Sequence, residues 1–285
     1  MVTQPPLSAG LYLVATPIGS ARDITLRAID ILTSADMIAA EDTRNTRKLM
    51  EIHGIKLSGR PITPYHDHNG AAQRPRILAA IRDGKSVAYV SDAGTPLVAD
   101  PGFTLARAVI GEGCPVTAAP GASAVLAALS VAGLPSDKFM FAGFPPPKTG
   151  ARLQFFKDLA NVPATLIFYE SPKRLDKTLA AMIDAFGPDR QAAICRELTK
   201  KFEQTLRGPL GDVAEWREAE MPLKGEIVIL LGPPQSREVT ETDLDAALTT
   251  ALRTLSVKDA ASEVAKALDI PRKTAYNRAL ELNRS

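Results

Sequence analysis

The sequence predicts an α/β protein: two α/β domains with a ligand cleft between them, followed by a small C-terminal helical domain. Three observations predict it. Residues 87–90 form a short apolar run that reads as a buried strand, then break into a loop of Gly, Pro and Asp before a helical pattern begins at Phe103. An open α/β sheet holds its ligand at such a place, beyond the carboxyl end of a strand. A second set of strand-like runs, 139–144, 164–169, 191–196 and 227–231, follows the hinge-like Gly133-Leu134-Pro135. After Gly232-Pro233-Pro234 the pattern is helical throughout. The boundaries read as 1–10 for a flexible lead-in, 11–121 and 122–235 for the α/β domains, and 236–285 for the helices.

The first strand is 11–15, turned by Thr16-Pro17-Ile18-Gly19, and Asp23-Ile24-Thr25 caps the next helix. Residues 37–40 form a second strand, ending in Glu41-Asp42-Thr43-Arg44. That tetrapeptide reads either as a helix start capped by Thr43 or as an active-site wall. Tyr65-His66-Asp67-His68-Asn69 is the densest polar cluster. A catalytic zinc needs a third ligand, the only other histidine is His53, and there is no H-E-x-x-H, so no metal is expected. The cluster is a solvated loop or an RNA-facing one, since its rings can stack on bases.

The central loop carries Asp92 and Asp100 but no cation, whereas a phosphate loop would carry Lys. Gly84-Lys85-Ser86 is a decoy, with Ala79 where the first P-loop glycine should stand. A cationic or hydroxyl-rich ligand, or an ordinary tight turn, remains. Residues 116–119 form a strand before Pro120-Gly121-Ala122-Ser123-Ala124, which imitates G-x-S-x-G except that Val125 replaces the last glycine. Residues 145–152, with Lys148 and Arg152, read as a stiff loop with two cations, and 175–186 as a helix. At the C-terminus, two helices joined by Ala267-Leu268-Asp269-Ile270 have a helix-turn-helix look or form a structural appendage or dimer contact.

Composition sets limits on partners. Lys+Arg of 34 against Asp+Glu of 32 leaves a net charge of +2, so any nucleic-acid surface is local. Cys114 and Cys195 are far apart in apolar surroundings and read as reduced core thiols. No basic and apolar leader is read at the N-terminus, and Pro120 and Gly121 interrupt the weakly polar stretch 116–134. The expectation is a cytoplasmic protein with no membrane contact.

The loop Ser91-Asp92-Ala93-Gly94-Thr95-Pro96, continued by Asp100-Pro101-Gly102, resembles the signature of the tetrapyrrole-methylase superfamily. Further matching segments span residues 10–232: Ala15-Thr16-Pro17-Ile18-Gly19, Ala40-Glu41-Asp42-Thr43-Arg44, the Tyr65 cluster, Phe168-Tyr169-Glu170-Ser171-Pro172, Glu197-Leu198-Thr199-Lys200 and Lys224-Gly225-Glu226. Together they resemble the branch that methylates a cytidine ribose 2'-hydroxyl of small-subunit ribosomal RNA with S-adenosylmethionine. The resemblance implies cofactor contacts at Pro17, Ser91, Asp92, Ala93, Gly94, Thr95, Val98, Ser123, Ala124, Tyr169, Glu170, Leu198 and Gly225. It leaves Glu41, Asp42, His66, His68, Glu170 and Glu197 as candidate bases. Arg44, Lys148, Arg152, Lys173, Arg174, Arg196 and Lys200 form a substrate-side set, to which Arg272, Lys273 and Arg278 of the last helix add a basic surface. Partners implied are the RNA, free or in the assembled small subunit, and a second copy of the chain. The family pattern has Asn at Ser20 and Pro at Ala122, which puts an amide contact at Ser20 in doubt. A tetrapyrrole C-methyltransferase and a non-catalytic RNA-binding protein are the competing expectations.

Overall fold

The computed structural model describes residues 6–66, 68–100, 102–234, 241–268 and 270–283. β1 (Gly10–Val14), β2 (Met37–Ala40), β3 (Ile62–Pro64), β4 (Ser86–Val90) and β5 (Val116–Ala119) build one sheet in the order β3-β2-β4-β1-β5. Every pairing in it is parallel. A parallel sheet needs cover on both faces, so its strands read as continuous apolar runs. β4 does so: all five of its residues are buried. Its side chains alternate, Ala88 and Val90 packing with Val14, Leu32 and Ile38, Val87 and Tyr89 with Leu11, Ile77 and Leu105.

The covering helices are α1 (Leu26–Ser34), α2 (Thr43–Ile52), α3 (Gly70–Arg82) and α4 (Gly102–Gly111). Thr25 caps α1 by accepting from Ala28 N–H. On α2 the cap is Asp42 rather than Thr43: its Oδ1 accepts Arg44 N–H at 2.8 Å. Because the strands are parallel, their carboxyl ends share one edge, which gathers Thr16, Glu41, His66, Ser91 and Pro120.

The second sheet is mixed. β6 (Phe139–Gly143), β7 (Thr165–Glu170), β8 (Gln191–Arg196), β9 (Gln204–Pro209) and β10 (Ile227–Leu231) lie in the order β6-β7-β10-β8-β9. Only β6 and β7 pair in parallel. One face is covered by α5 (Ala124–Ala132), whose Val125, Ala128 and Leu129 pack with Ile167, Ala193, Val228 and Leu230. Ile18 and Leu198 join that cluster. On the other face Phe168, Ile194 and Ile229 meet Phe156, Leu179, Met182 and Leu210 of α6 (Thr149–Leu159), α7 (Leu175–Phe186) and α8 (Leu210–Glu220).

Two expectations fail here. Residues 149–152 are the first turn of α6, not loop, and this winds Arg152 into the interior, where it is 2% exposed. β3, β9 and α8 carry too little apolar pattern to be read: β9 is an edge strand with no fully buried residue, and β3 is a three-residue edge strand ending in Pro64.

The chain divides into two compact units, Met1–Pro234, which holds both sheets, and Gln235–Ser285. In the second unit α9 (Glu241–Ala251), α10 (Val257–Ala267) and α11 (Arg272–Leu282) close on Leu244, Leu248, Ala261, Val264, Ala275 and Ala279. Ser256 caps α10 through Asp259 N–H. Among the described residues no helix is long and apolar enough to cross a membrane. Cys114 and Cys195 are free thiols, and burial pushes that of Cys195 up to about 11.

Candidate active site at the carboxyl edge of the first sheet

A cavity of about 430 Å³ opens where the β4 loop faces β7, β10 and the start of α5. The loop is tied from within. Thr16 and Gly94 exchange two backbone hydrogen bonds of 3.0 Å, Ser91 Oγ donates to Gly94 O, and Thr95 Oγ1 donates to Ala122 O at 2.9 Å. Gly94 holds φ of 82°, a left-handed angle that glycine adopts without a steric penalty. Leu97 and Ala99 also lie left-handed, at 72° and 56°, so the loop stores backbone strain beside the cavity. Asp100 anchors its far end: Oδ1 accepts from Tyr89 Oη at 2.7 Å and from Gly102 N–H at 2.6 Å. Burial, with Asp100 adjacent, pushes the Tyr89 phenol well above its ordinary range, so it stays a hydrogen-bond donor.

The walls are acidic. Glu41, Asp92, Asp100, Glu170 and Glu226 all line the cavity, and among the described residues no Lys, Arg or His does. Glu41 and Asp92 brace each other's loops: Asp92 N–H donates to Glu41 Oε2 and Asp42 N–H to Asp92 Oδ1, both at 3.0 Å. Arg44 turns back onto Asp42 at 2.6 Å and holds its carboxyl at about 2, so Asp42 is an anion engaged in capping and pairing. Apolar walls come from Ile18, Val98, Phe144, Ile227 and Val228, and Tyr169 stacks edge-on against Phe141 and Phe144.

Of the expected cofactor residues, Asp92, Ala93, Gly94, Thr95, Val98, Ser123, Ala124, Tyr169, Glu170 and Gly225 line this cavity. Pro17 and Ser91 do not; they line a smaller cleft together with Asn45 and Lys48. Leu198 is buried in the cluster under α5. Asp100, Phe144 and Glu226 line the cavity as well. Asp100 stood within the signature, but Phe144 and Glu226 reach the cavity only because β6 and β10 are brought beside β7.

Among the candidate bases, two carboxylates are fully engaged elsewhere. The Glu170 side chain is 0% exposed and accepts from Ser171 N–H, Arg174 and Thr178 Oγ1. Glu197 accepts from Lys200 Nζ at 2.8 Å and from Glu226 N–H at 3.0 Å, and the Lys200 hydrogen bond holds its carboxyl below the usual carboxylate range. Both are held by hydrogen bonds and ion pairs in this arrangement. Glu197 and Thr199 are left-handed, at 51° and 64°, and Thr199 Oγ1 accepts Ser20 N–H across from the first sheet. His66 sits on the strand edge beside β2, with Nδ1 buried and without a partner among the described residues. His68 is exposed, its ring 6.0 Å from that of His66. No group of three or more His, Cys, Asp or Glu that could hold a metal is found among the described residues.

The substrate-side cations separate by burial. Arg196 is 7% exposed and spends its guanidinium on Lys224 O and Phe202 O, and Arg152 is enclosed, so neither can meet a macromolecule. Arg174 and Lys200 are tied to Glu170 and Glu197. Arg44, Lys148 and Lys173 are exposed. In the helical unit Arg272 and Lys273 are exposed, whereas Arg278 is clamped by Asp245 and Glu281, which corrects its assignment to the basic surface.

Residues 10–214 match the family described as Tetrapyrrole (Corrin/Porphyrin) Methylases, and 238–283 match the RsmI C-terminal HTH domain. The chain is 48% identical over 277 residues to the ribosomal RNA small subunit methyltransferase I of Mesorhizobium japonicum, covering 97% of this chain and 93% of that one. It is 41% identical over 279 residues to the protein of that name from Escherichia coli O157:H7, covering 95% and 94%. Among solved structures it is similar to a cobalt precorrin-4 methyltransferase, with a TM-score of 0.59 and 20% identity over 78% of this chain and 94% of that one. It is also similar to the uroporphyrin-III C-methyltransferase of Thermus thermophilus complexed with S-adenosyl homocysteine, with a TM-score of 0.54 and 20% identity over 78% and 97%.

Proposed function

The chain belongs to the tetrapyrrole methylase family and, within it, to the ribosomal RNA small subunit methyltransferase I family, and from that premise we propose that it methylates a cytidine ribose 2'-hydroxyl in small-subunit ribosomal RNA, using S-adenosylmethionine. The observation that carries the cofactor assignment is the sign of the walls. A cavity of this size takes a small molecule, and one lined by five carboxyl residues, of which Glu170 and Glu226 pair with Arg174 and Lys200, and by no cation among the described residues favours a ligand bearing positive charge over a phosphate-bearing one. When bound, S-adenosylmethionine supplies a sulfonium-activated methyl group to an oxygen nucleophile.

The chain's own residues then have separable tasks. Gly94 and Gly225 let the backbone approach the ligand, and Ile18, Val98 and Val228 bury its apolar parts. Asp92 and Asp100 favour its charge, while Glu170 and Glu197 hold the walls in place. Holding acceptor and donor groups in line supplies several kcal/mol through orientation alone. Glu41 and His66 are assigned to take the hydroxyl proton: Glu41 lines the cavity, and His66 stands one strand away with a buried Nδ1 that has no partner among the described residues. Exposed Lys148 and Lys173 face RNA phosphates, while Arg44 is held by Asp42.

Two copies of the chain assemble on this reading, a role suited to the apolar edge strand β6, where Phe139 and Met140 are 44% and 41% exposed. A ribosomal RNA substrate supports a cytoplasmic location.

Purified protein with methyl-labelled S-adenosylmethionine and either small-subunit particles or protein-free ribosomal RNA tests the function. Label in 2'-O-methylcytidine is expected; transfer to a tetrapyrrole alone, or to a base, overturns it. In the same assay Glu41→Gln and His66→Ala are expected to lower kcat, about a hundredfold or more for whichever is the base, with cofactor affinity little changed. Wild-type rates in both variants refute both assignments.

A further inference from the structure

In the helical unit Lys258, Arg272, Lys273 and Tyr276 line a groove of about 360 Å³. Lys258 belongs to the first turn of α10, and the other three to the first two turns of α11. Arg278, the remaining cation of α11, is neutralised by Asp245 and Glu281. Lys258, Arg272 and Lys273 form no ion pair among the described residues. Residues 235–285 hold eight Lys or Arg and eight Asp or Glu, so the groove's charge comes from segregation and not from a basic composition. The Tyr276 ring is 39% exposed at the same groove. On α11, Ala275 and Ala279 are buried, while Arg272, Lys273 and Tyr276 stay exposed at the groove.

Cations at a helix start add to the positive end of the helix dipole, and α11 begins at Pro271 with no side-chain cap consuming its first N–H groups. Three cations without an ion pair among the described residues, beside an exposed phenol ring, suit one chemistry: consecutive phosphates with an unpaired base stacked on the ring. We propose that this groove is an RNA-binding site, in which Lys258, Arg272 and Lys273 hold the phosphodiester backbone and Tyr276 stacks on an unpaired base. The proposal rests on the RNA methyltransferase reading and adds a second point of contact to it. Phosphate contacts position a strand without reading its sequence, so the groove sets affinity and orientation and leaves the chemical step alone.

The test uses the full chain carrying Lys258→Gln, Arg272→Gln and Lys273→Gln together, with Tyr276→Ala made separately. Gln preserves helix propensity, and the exposed Lys266→Gln on α10 serves as a control. Binding to a fluorescent small-subunit ribosomal RNA is titrated at several salt concentrations, alongside methyl transfer and cofactor binding. The triple variant is expected to bind RNA about tenfold more weakly or worse, with its log affinity against log salt shallower by about two, roughly 0.7 per lost single-strand phosphate contact. Tyr276→Ala weakens binding with the salt slope unchanged. KM for RNA rises in both, while kcat at saturating RNA and cofactor affinity stay at the wild-type value. Wild-type RNA affinity and slope in the triple variant overturn the groove while leaving the methyltransferase reading intact. A wild-type protein that binds S-adenosylmethionine but neither binds nor methylates RNA overturns both.

Discussion

Gly94→Ala separates a cofactor-holding loop from an ordinary turn. The residue lies at φ 82°, and a side chain there costs about 1–2 kcal/mol. The added Cβ would stand 3.3 Å from Ile18 Cγ2 and 3.6 Å from Ala122 O, tight but relieved by a few tenths of an ångström, so backbone strain dominates. The cofactor-free loop relieves that strain by leaving its bonded geometry with Thr16, and a ligand has to restore it. Each 1.4 kcal/mol is a factor of ten, so affinity for S-adenosylmethionine should fall about 5- to 30-fold. Gly54→Ala is the matched control: φ is 67°, a Cβ there meets nothing within 4 Å, and the residue is not part of the cavity. Isothermal titration calorimetry and thermal unfolding of both variants are the assay. Gly54→Ala should lose stability with affinity unchanged, whereas Gly94→Ala should lose affinity and less stability, because its free loop relieves the strain. Wild-type affinity in Gly94→Ala removes the loop from the site; equal losses in both variants make the effect global.

Glu170→Ala should behave as a structural defect, destabilising by about 3–5 kcal/mol in denaturant titration because Arg174 and Thr178 are left without their buried acceptor; unchanged stability with kcat abolished would instead restore Glu170 as a base. For Glu197 the folded carboxyl lies below its ordinary 4.5, so its contribution is present above that pH and is lost as pH falls through the folded value. The difference in thermal stability between wild type and Glu197→Gln should therefore be largest near neutrality and shrink on acidification; a gap that widens with acid contradicts the Lys200 pairing.

Elements with strong local patterns were legible without coordinates. β10 is an uninterrupted apolar run, β4 and β8 carry apolar runs of four residues, and α7 shows its period over Leu175–Phe186. The loop after β4 was legible as a turn, because Gly, Pro and Asp announce turn chemistry within a few residues. Partnership was not legible. Arg152 reads as a loop cation until α6 winds it inward, and Glu170 as a base until Arg174 and Thr178 close on it. The same holds for Arg278, whose acceptor Asp245 lies on another helix. Local propensity and side-chain period act over one or two turns of chain, so residue order alone settles which segments are strands, helices and loops. Burial and charge pairing depend on groups far apart along the chain, and only the packing of the two sheets and of the three C-terminal helices decides which acids and cations remain available for chemistry.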